Sequence, residues 1–326
     1  MSKLNKFLKN IGVNKFFHYG DPFSTGVVRL SLGFCSAIYV LSFLKITDYL
    51  SKEEYSSFKE RIFFSDPYFS LLNDVSDIST VIIFLKVSLI FSLFMTFGFF
   101  SRISTFAVYV CIVSINNYFR GHVFLINAPV LLILNISYLL FSQSGAAFSL
   151  DRLIKVKLGI VDMNSFEKIP LWPKNLISFQ LFIMYFSCVM YKLLDSSWVN
   201  GRSVYYVLRM GCAIDFLPEF LTFPPFTAIA TYGAILLEIF IPFSLINRKY
   251  IKYSVPIGVL LHLIMYFCLN VGIFSLAVIC SYPAILSEKD YGAIFKKINL
   301  VESLFKKSTF YKLFKFRWRT DEENHK

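Results

Sequence analysis

The sequence predicts an all-α fold, a polytopic membrane helical bundle of about eight transmembrane helices, and three observations carry that reading. Of 326 residues, 56% are hydrophobic and only 17% are charged, with 38 Phe and 19 Tyr, a balance too apolar for an ordinary soluble chain. The apolar residues gather into runs of about 20, the length at which a helix crosses a hydrocarbon core of about 30 Å. The formal net charge of +12 comes from Lys and Arg placed between those runs rather than on an amphipathic face. The positive-inside rule accounts for such placement, and nucleic acid is not an expected partner.

Eight runs qualify, near residues 24 to 44, 79 to 99, 103 to 119, 123 to 142, 176 to 194, 226 to 246, 251 to 269 and 271 to 286. With both termini cytoplasmic, 23 of the 33 Lys and Arg fall on the inner side, which sets the expected orientation. Residues 1–20 form a basic cytoplasmic arm without the apolar core or cleavage site of a signal peptide. Residues 21–286 form the transmembrane domain, and 287–326 a basic, aromatic cytoplasmic tail whose expected partner is anionic lipid. The chain is thus expected to be a multi-pass protein of the cell membrane, surrounded by lipid bilayer. The inner stretch 143–174, with SLDRLIKVKLGIV, reads as an amphipathic segment lying on the inner surface. The outer loops at 45–78 and 195–225 carry acids and aromatics (Asp66-Pro67-Tyr68; Asp215, Glu219, Phe223-Pro224-Pro225), a composition suited to short interfacial helices that roof the bundle.

Several classes of chemistry are excluded. Six cysteines are present, Cys35, Cys111, Cys188, Cys212, Cys268 and Cys280, with no C-x-x-C pair, against both a dithiol oxidoreductase and a structural zinc site. Walker, dinucleotide, H-E-x-x-H and nucleophile-elbow motifs are all missing. No paired, broken helices in two halves suggest a transporter.

What chemistry the chain offers lies in polar groups within apolar runs. Lys192, near the end of the fifth run, is a functional candidate because an ionisable residue at mid-membrane costs about 2.5–3.5 kcal/mol on insertion scales. Snorkelling of its ammonium to the headgroups is the competing reading. Glu238 lies mid-span in LLEIFIPF, where desolvation demands a partner or a proton, so a structural ion pair and a proton-transfer role are both open. His262, in VLLHLIMYF, either bridges helices or acts as acid and base. Arg29 is shallow enough to snorkel and reads as structural, while its position also allows pairing with an acid on another helix; His122 lies at the outer interface, and Lys86 faces inward or snorkels. His122 and His262 are too far apart in sequence to make a metal site without further ligands, and no metal is expected.

These residues also form a pattern. Gln180, Tyr185, Lys192-Leu193 and Trp198-x-x-Gly201, then His262, Gly272-x-Phe274-Ser275 and Pro283, resemble the signature of the HTTM (horizontally transferred transmembrane) family. Asp21-Pro22 with Arg29 and Gly33, Gly98-x-x-x-Arg102, and His122 followed by Val-Phe-Leu extend the resemblance over roughly residues 21 to 286. The family includes the vitamin K-dependent gamma-glutamyl carboxylases, in which a neutral lysine deprotonates a reduced quinone, and short bacterial proteins of the sporulation-delaying protein B type. The resemblance implies enzyme-like chemistry at the outer face, on a secreted peptide or a lipid-soluble quinol. Catalytic roles would fall to Lys192, His262 and His122, with Arg29, Glu238, Gln180 and Trp198 as structural polar residues, and a reduced quinone as the cofactor implied. Two departures stand against carboxylase chemistry: Leu193 occupies the place of the proposed base, and no large outer propeptide-binding domain is expected. A non-enzymatic accessory or immunity-type protein is the alternative.

Overall fold

The computed structural model describes residues 16–49, 69–73, 75, 77–119, 128–163, 165–209, 213, 219–269, 272–294 and 296. Eight helices stand where the apolar runs predict them: α1 (Phe23–Tyr49), α2 (Ile78–Phe97), α3 (Ser101–Phe119), α4 (Ala128–Leu140), α6 (Trp172–Leu194), α9 (Pro224–Ile246), α10 (Ile251–Cys268) and α11 (Ile273–Ser281). Among the described residues, five stretches are long and apolar enough to cross a bilayer: Phe23–Lys45, Ile78–Phe97, Trp172–Leu194, Pro224–Ile246 and Arg248–Cys268. α4 and α11 are shorter, and α11 continues only as a 3-10 turn over Tyr282–Ile285. Between the long helices lie α5 (Leu150–Lys157), α7 (Ser196–Val199) and α8 (Ser203–Val207). One feature departs from all-α: β1 (Tyr19–Gly20) and β2 (Ile169–Pro170) pair antiparallel and tie the start of α1 to the start of α6. Residues 1–15 of the basic arm, the tail from residue 297 on, Asp66-Pro67-Tyr68, His122, Cys212 and Asp215 lie outside the described residues.

The core is built on α1. Val28, Leu32, Cys35, Tyr39 and Phe43 recur at three- and four-residue intervals on one helical face and are all buried. Val81, Leu85, Ser88, Ser92 and Met95 do the same on α2. The two helices meet at Gly33, where a Cβ would stand 2.6 Å from the Thr96 nitrogen, so only glycine permits the approach. Hydroxyls inside this apolar interior donate back along their own helix, Ser88 to the Phe84 carbonyl, Ser92 to Ser88 and Thr96 to Ser92. That spares them the cost of an unmet polar group where no water reaches.

At the strand-pair end a second polar device holds three elements together. Arg29 is completely buried and its guanidinium donates to five carbonyls: Ser144 at 3.1 Å, Met95 at 2.5 Å, Thr96 at 2.8 Å, Ala147 at 3.5 Å and Phe148 at 2.6 Å. Met95 and Thr96 are last-turn carbonyls of α2, beyond the reach of the i→i+4 ladder, and Met95 accepts from the Gly98 N–H as well. Gly98 ends α2 at φ +67°, and a Cβ there would run into the guanidinium. Asp151, at the start of α5, accepts from the Phe100 and Ser101 N–H groups at 2.8 and 2.7 Å and so caps α3. Arg29 is therefore a structural residue. α5 itself has no buried residue and exposes Leu150, Leu153 and Ile154, the amphipathic segment that the sequence predicts. Lys86, in contrast, does not face inward: it is exposed on α2 between Ile83 and Ile90, both exposed.

Candidate functional site

Lys192 occupies the last turn of α6, and its Nζ lies 2.5 Å from Oε2 of Glu238 on α9. The side chains are 18% and 9% exposed, so the pair is largely desolvated yet reachable from the lysine side. Leu193, next to it, is exposed and points away, so Lys192 is the position that faces the bundle. The local chain explains why. Asp195 ends α6 and accepts from the Ser197 N–H and hydroxyl, both at 2.7 Å, starting α7 at once. Those Ser197 hydrogen bonds hold the Asp195 carboxyl below its ordinary value. The reversal places the Trp198 ring 4.3 Å from Lys192 Nζ, a cation–π contact.

The turn that follows fixes α7 and α8 against α9. Gly201 adopts φ +70°, and a Cβ would stand 3.0 Å from the Tyr232 ring. The Tyr232 hydroxyl donates to the Val199 carbonyl at 2.9 Å, and Thr231 Oγ1 accepts from the Val204 N–H at 3.1 Å. The Trp-x-x-Gly spacing is thus the reversal that brings an indole under the lysine and leaves room for a tyrosine.

Two helical turns before Lys192, about 10 Å along α6, Tyr185 begins a second polar chain. Its hydroxyl lies 2.7 Å from His262 Nε2 on α10 and 2.5 Å from the Tyr282 hydroxyl after α11. All three side chains are buried. Gly258, one turn before His262, is bare because a Cβ would meet the Tyr282 hydroxyl. Gly272 opens α11 at φ +63°, and Phe274 sets its ring edge-on to His262 with centroids 6.0 Å apart. His262 Nδ1 and Ser275 Oγ are buried and have no hydrogen-bond partner among the described residues. Lys192 and Tyr185 share α6, so the ion pair and the triad follow one another along the same helix. One ion pair and one hydrogen-bonded triad, drawn from α6, α9, α10 and the end of α11, therefore make a single polar cluster.

A family model described as HTTM domain matches residues 17–290. The chain belongs to the HTTM family. No curated protein and no solved structure matches it.

Within this HTTM chain, the structure brings together Lys192, Glu238 and Trp198 of the residues that the sequence singled out, and joins His262 to Tyr185, two turns away on α6. Gln180 is three turns below Lys192 on α6, half-buried and without a polar contact among the described residues, so it does not join them. Arg29 acts at the strand-pair end, as does a cavity of about 800 Å³ lined by Arg102, Asp151, Arg152 and Lys155, at the end of α6 away from Lys192. Sequence reasoning passed over Tyr282 and Gly258. The available signal was weak: a tyrosine in an apolar run needs a partner for its hydroxyl, but nothing in the sequence names that partner. Among the described residues no group of three or more His, Cys, Asp or Glu has the arrangement to hold a metal ion.

Proposed function

We propose that this integral membrane HTTM protein is enzyme-like and performs acid–base chemistry at the Lys192–Glu238 pair, on a secreted peptide or a lipid-soluble quinol reached from the outer face. The observation that carries the proposal is the desolvated ion pair with one reachable side, backed by the Tyr185–His262–Tyr282 triad. A bare lysine base would have to be neutral; held against a carboxylate at 2.5 Å, Lys192 is instead the cation of a pair. The roles divide accordingly. Glu238 takes a proton from an acidic O–H or N–H, and the Lys192 ammonium steadies the anion left behind. The tyrosine–histidine triad passes a proton or holds the polar end of the substrate.

The donor set suits a quinol. Such a molecule would supply an acidic hydroxyl and an oxidisable ring, with Lys192 and Glu238 at the hydroxyl and the Trp198 indole beside the ring. The non-enzymatic reading, an accessory or immunity-type protein, draws support from the same pair, since a buried Lys–Glu contact also pins α6 to α9.

The experiment that separates the two uses the protein in lipid nanodiscs with reduced quinone, oxygen, labelled bicarbonate and a glutamate-rich peptide. Quinol oxidation or label in the peptide, abolished in Lys192→Ala and Glu238→Gln, is the expected result. No turnover of either kind would leave the structural role.

A further inference from the structure

The geometry points to a docking face on α2 for the transmembrane helix of a partner protein that carries an Asp or Glu at mid-depth. Ile78–Phe97 is a 20-residue span, close to the length that just crosses the hydrocarbon core. Lys86 is its ninth residue, so its Cα lies about 2 Å from the midplane of that span. It is exposed, and no hydrogen bond or ion pair to it is present among the described residues. Snorkelling does not free it: a lysine side chain reaches about 6 Å, and the nearer end of α2 is about 12 Å away along the axis.

Around Lys86 runs a seam of exposed apolar side chains, Ile83, Val87, Ile90, Phe94 and Phe97, at the three- and four-residue spacing that one packed helix covers. An ammonium in the middle of that seam calls for a carboxylate at the same depth. Among the described residues a second copy of this chain does not offer one: Glu238 is buried and already paired, and copies meeting through this face would oppose lysine to lysine. The occupant is therefore a different membrane protein, recognised by an acidic residue near the middle of an apolar helix.

The test uses the full chain in phosphatidylcholine vesicles and a fluorescent Leu/Ala host helix of about 22 residues bearing one central Asp, with a central Ala as control. Energy transfer should report association of the Asp helix at least about tenfold tighter than the Ala helix. Lys86→Met should erase that preference without lowering the melting temperature, and Lys86→Arg should keep it. Val87→Trp, which blocks the seam and leaves the charge, should weaken binding of both helices. Equal binding of the Asp and Ala helices, or an Asp preference that survives Lys86→Met, overturns the proposal. So does Lys86-dependent self-association without peptide, or loss of the Asp preference on adding phosphatidylglycerol, which would assign the lysine to a second copy or to a headgroup.

Discussion

Lys192→Met leaves the Glu238 carboxylate, 9% exposed, without its cation. Stranding one member of a buried pair costs about 3–5 kcal/mol, and the 18% exposure of Lys192 together with the ease of protonating the orphaned carboxyl places this case near the lower end. The reverse change, Glu238→Leu, strands an ammonium that still has the Trp198 face and the open side, so its expected cost is smaller, about 2 kcal/mol. Exchanging both members for apolar residues of similar volume removes the desolvation problem altogether, and Lys192→Met with Glu238→Leu should lie within about 1 kcal/mol of the unmutated protein. Reversible unfolding in bicelles, run as a double-mutant cycle, measures all three values. Two single variants that are each nearly neutral, or a double variant that loses the sum of the singles, would refute the claim that these side chains form a desolvated pair.

Other perturbations follow from the same geometry. Arg29→Lys keeps the charge but cannot fork to five carbonyls on two segments, so a loss of at least about 2 kcal/mol is expected in the same unfolding assay; a neutral result would remove Arg29 as the tie between α1 and the end of α2. Gly201→Ala imposes a Cβ at φ +70° and against Tyr232, for about 1–2 kcal/mol or more, and fluorescence should report Trp198 moving off Lys192. Beyond α11, burial raises the Asp290 pKa, but the Ser287 hydroxyl and N–H together with Arg248 outweigh it and hold the carboxyl below its ordinary 3.8. A depressed carboxyl adds stability above its unfolded value and loses it as pH falls through the folded one. Protection of the amides at 287–291, relative to their intrinsic exchange rate, should therefore fall as pH drops through the depressed Asp290 value, with no such step in Asp290→Asn.

The helix positions were legible in the sequence because an apolar run of bilayer length has few alternatives to a helix. Length was less legible: 271 to 286 reads as a full run, whereas α11 spans only Ile273–Ser281 before a 3-10 turn. Hydropathy does not register where a backbone turns. The β1–β2 pair was invisible for a related reason, since two residues per strand carry no alternation. At the site, Glu238 announced itself as a carboxylate in hydrocarbon, but its partner lies 46 residues away on another helix and only packing identifies it. Gly98, Gly201 and Gly272 could be marked by resemblance alone; their reason is a positive φ, which the structure supplies. Lys86 was equally visible in the sequence, and only exposure separates a buried partner-seeking lysine from one turned outward.

The central claim, that Lys192 and Glu238 perform chemistry rather than merely join two helices, is tested most directly on the variant in which stability and chemistry part company. Lys192→Met with Glu238→Leu should fold about as well as the unmutated protein and yet show no quinol oxidation or peptide labelling in nanodiscs where the unmutated protein shows either. A double variant that folds and turns over at the unmutated rate would contradict the account and leave the pair a structural contact.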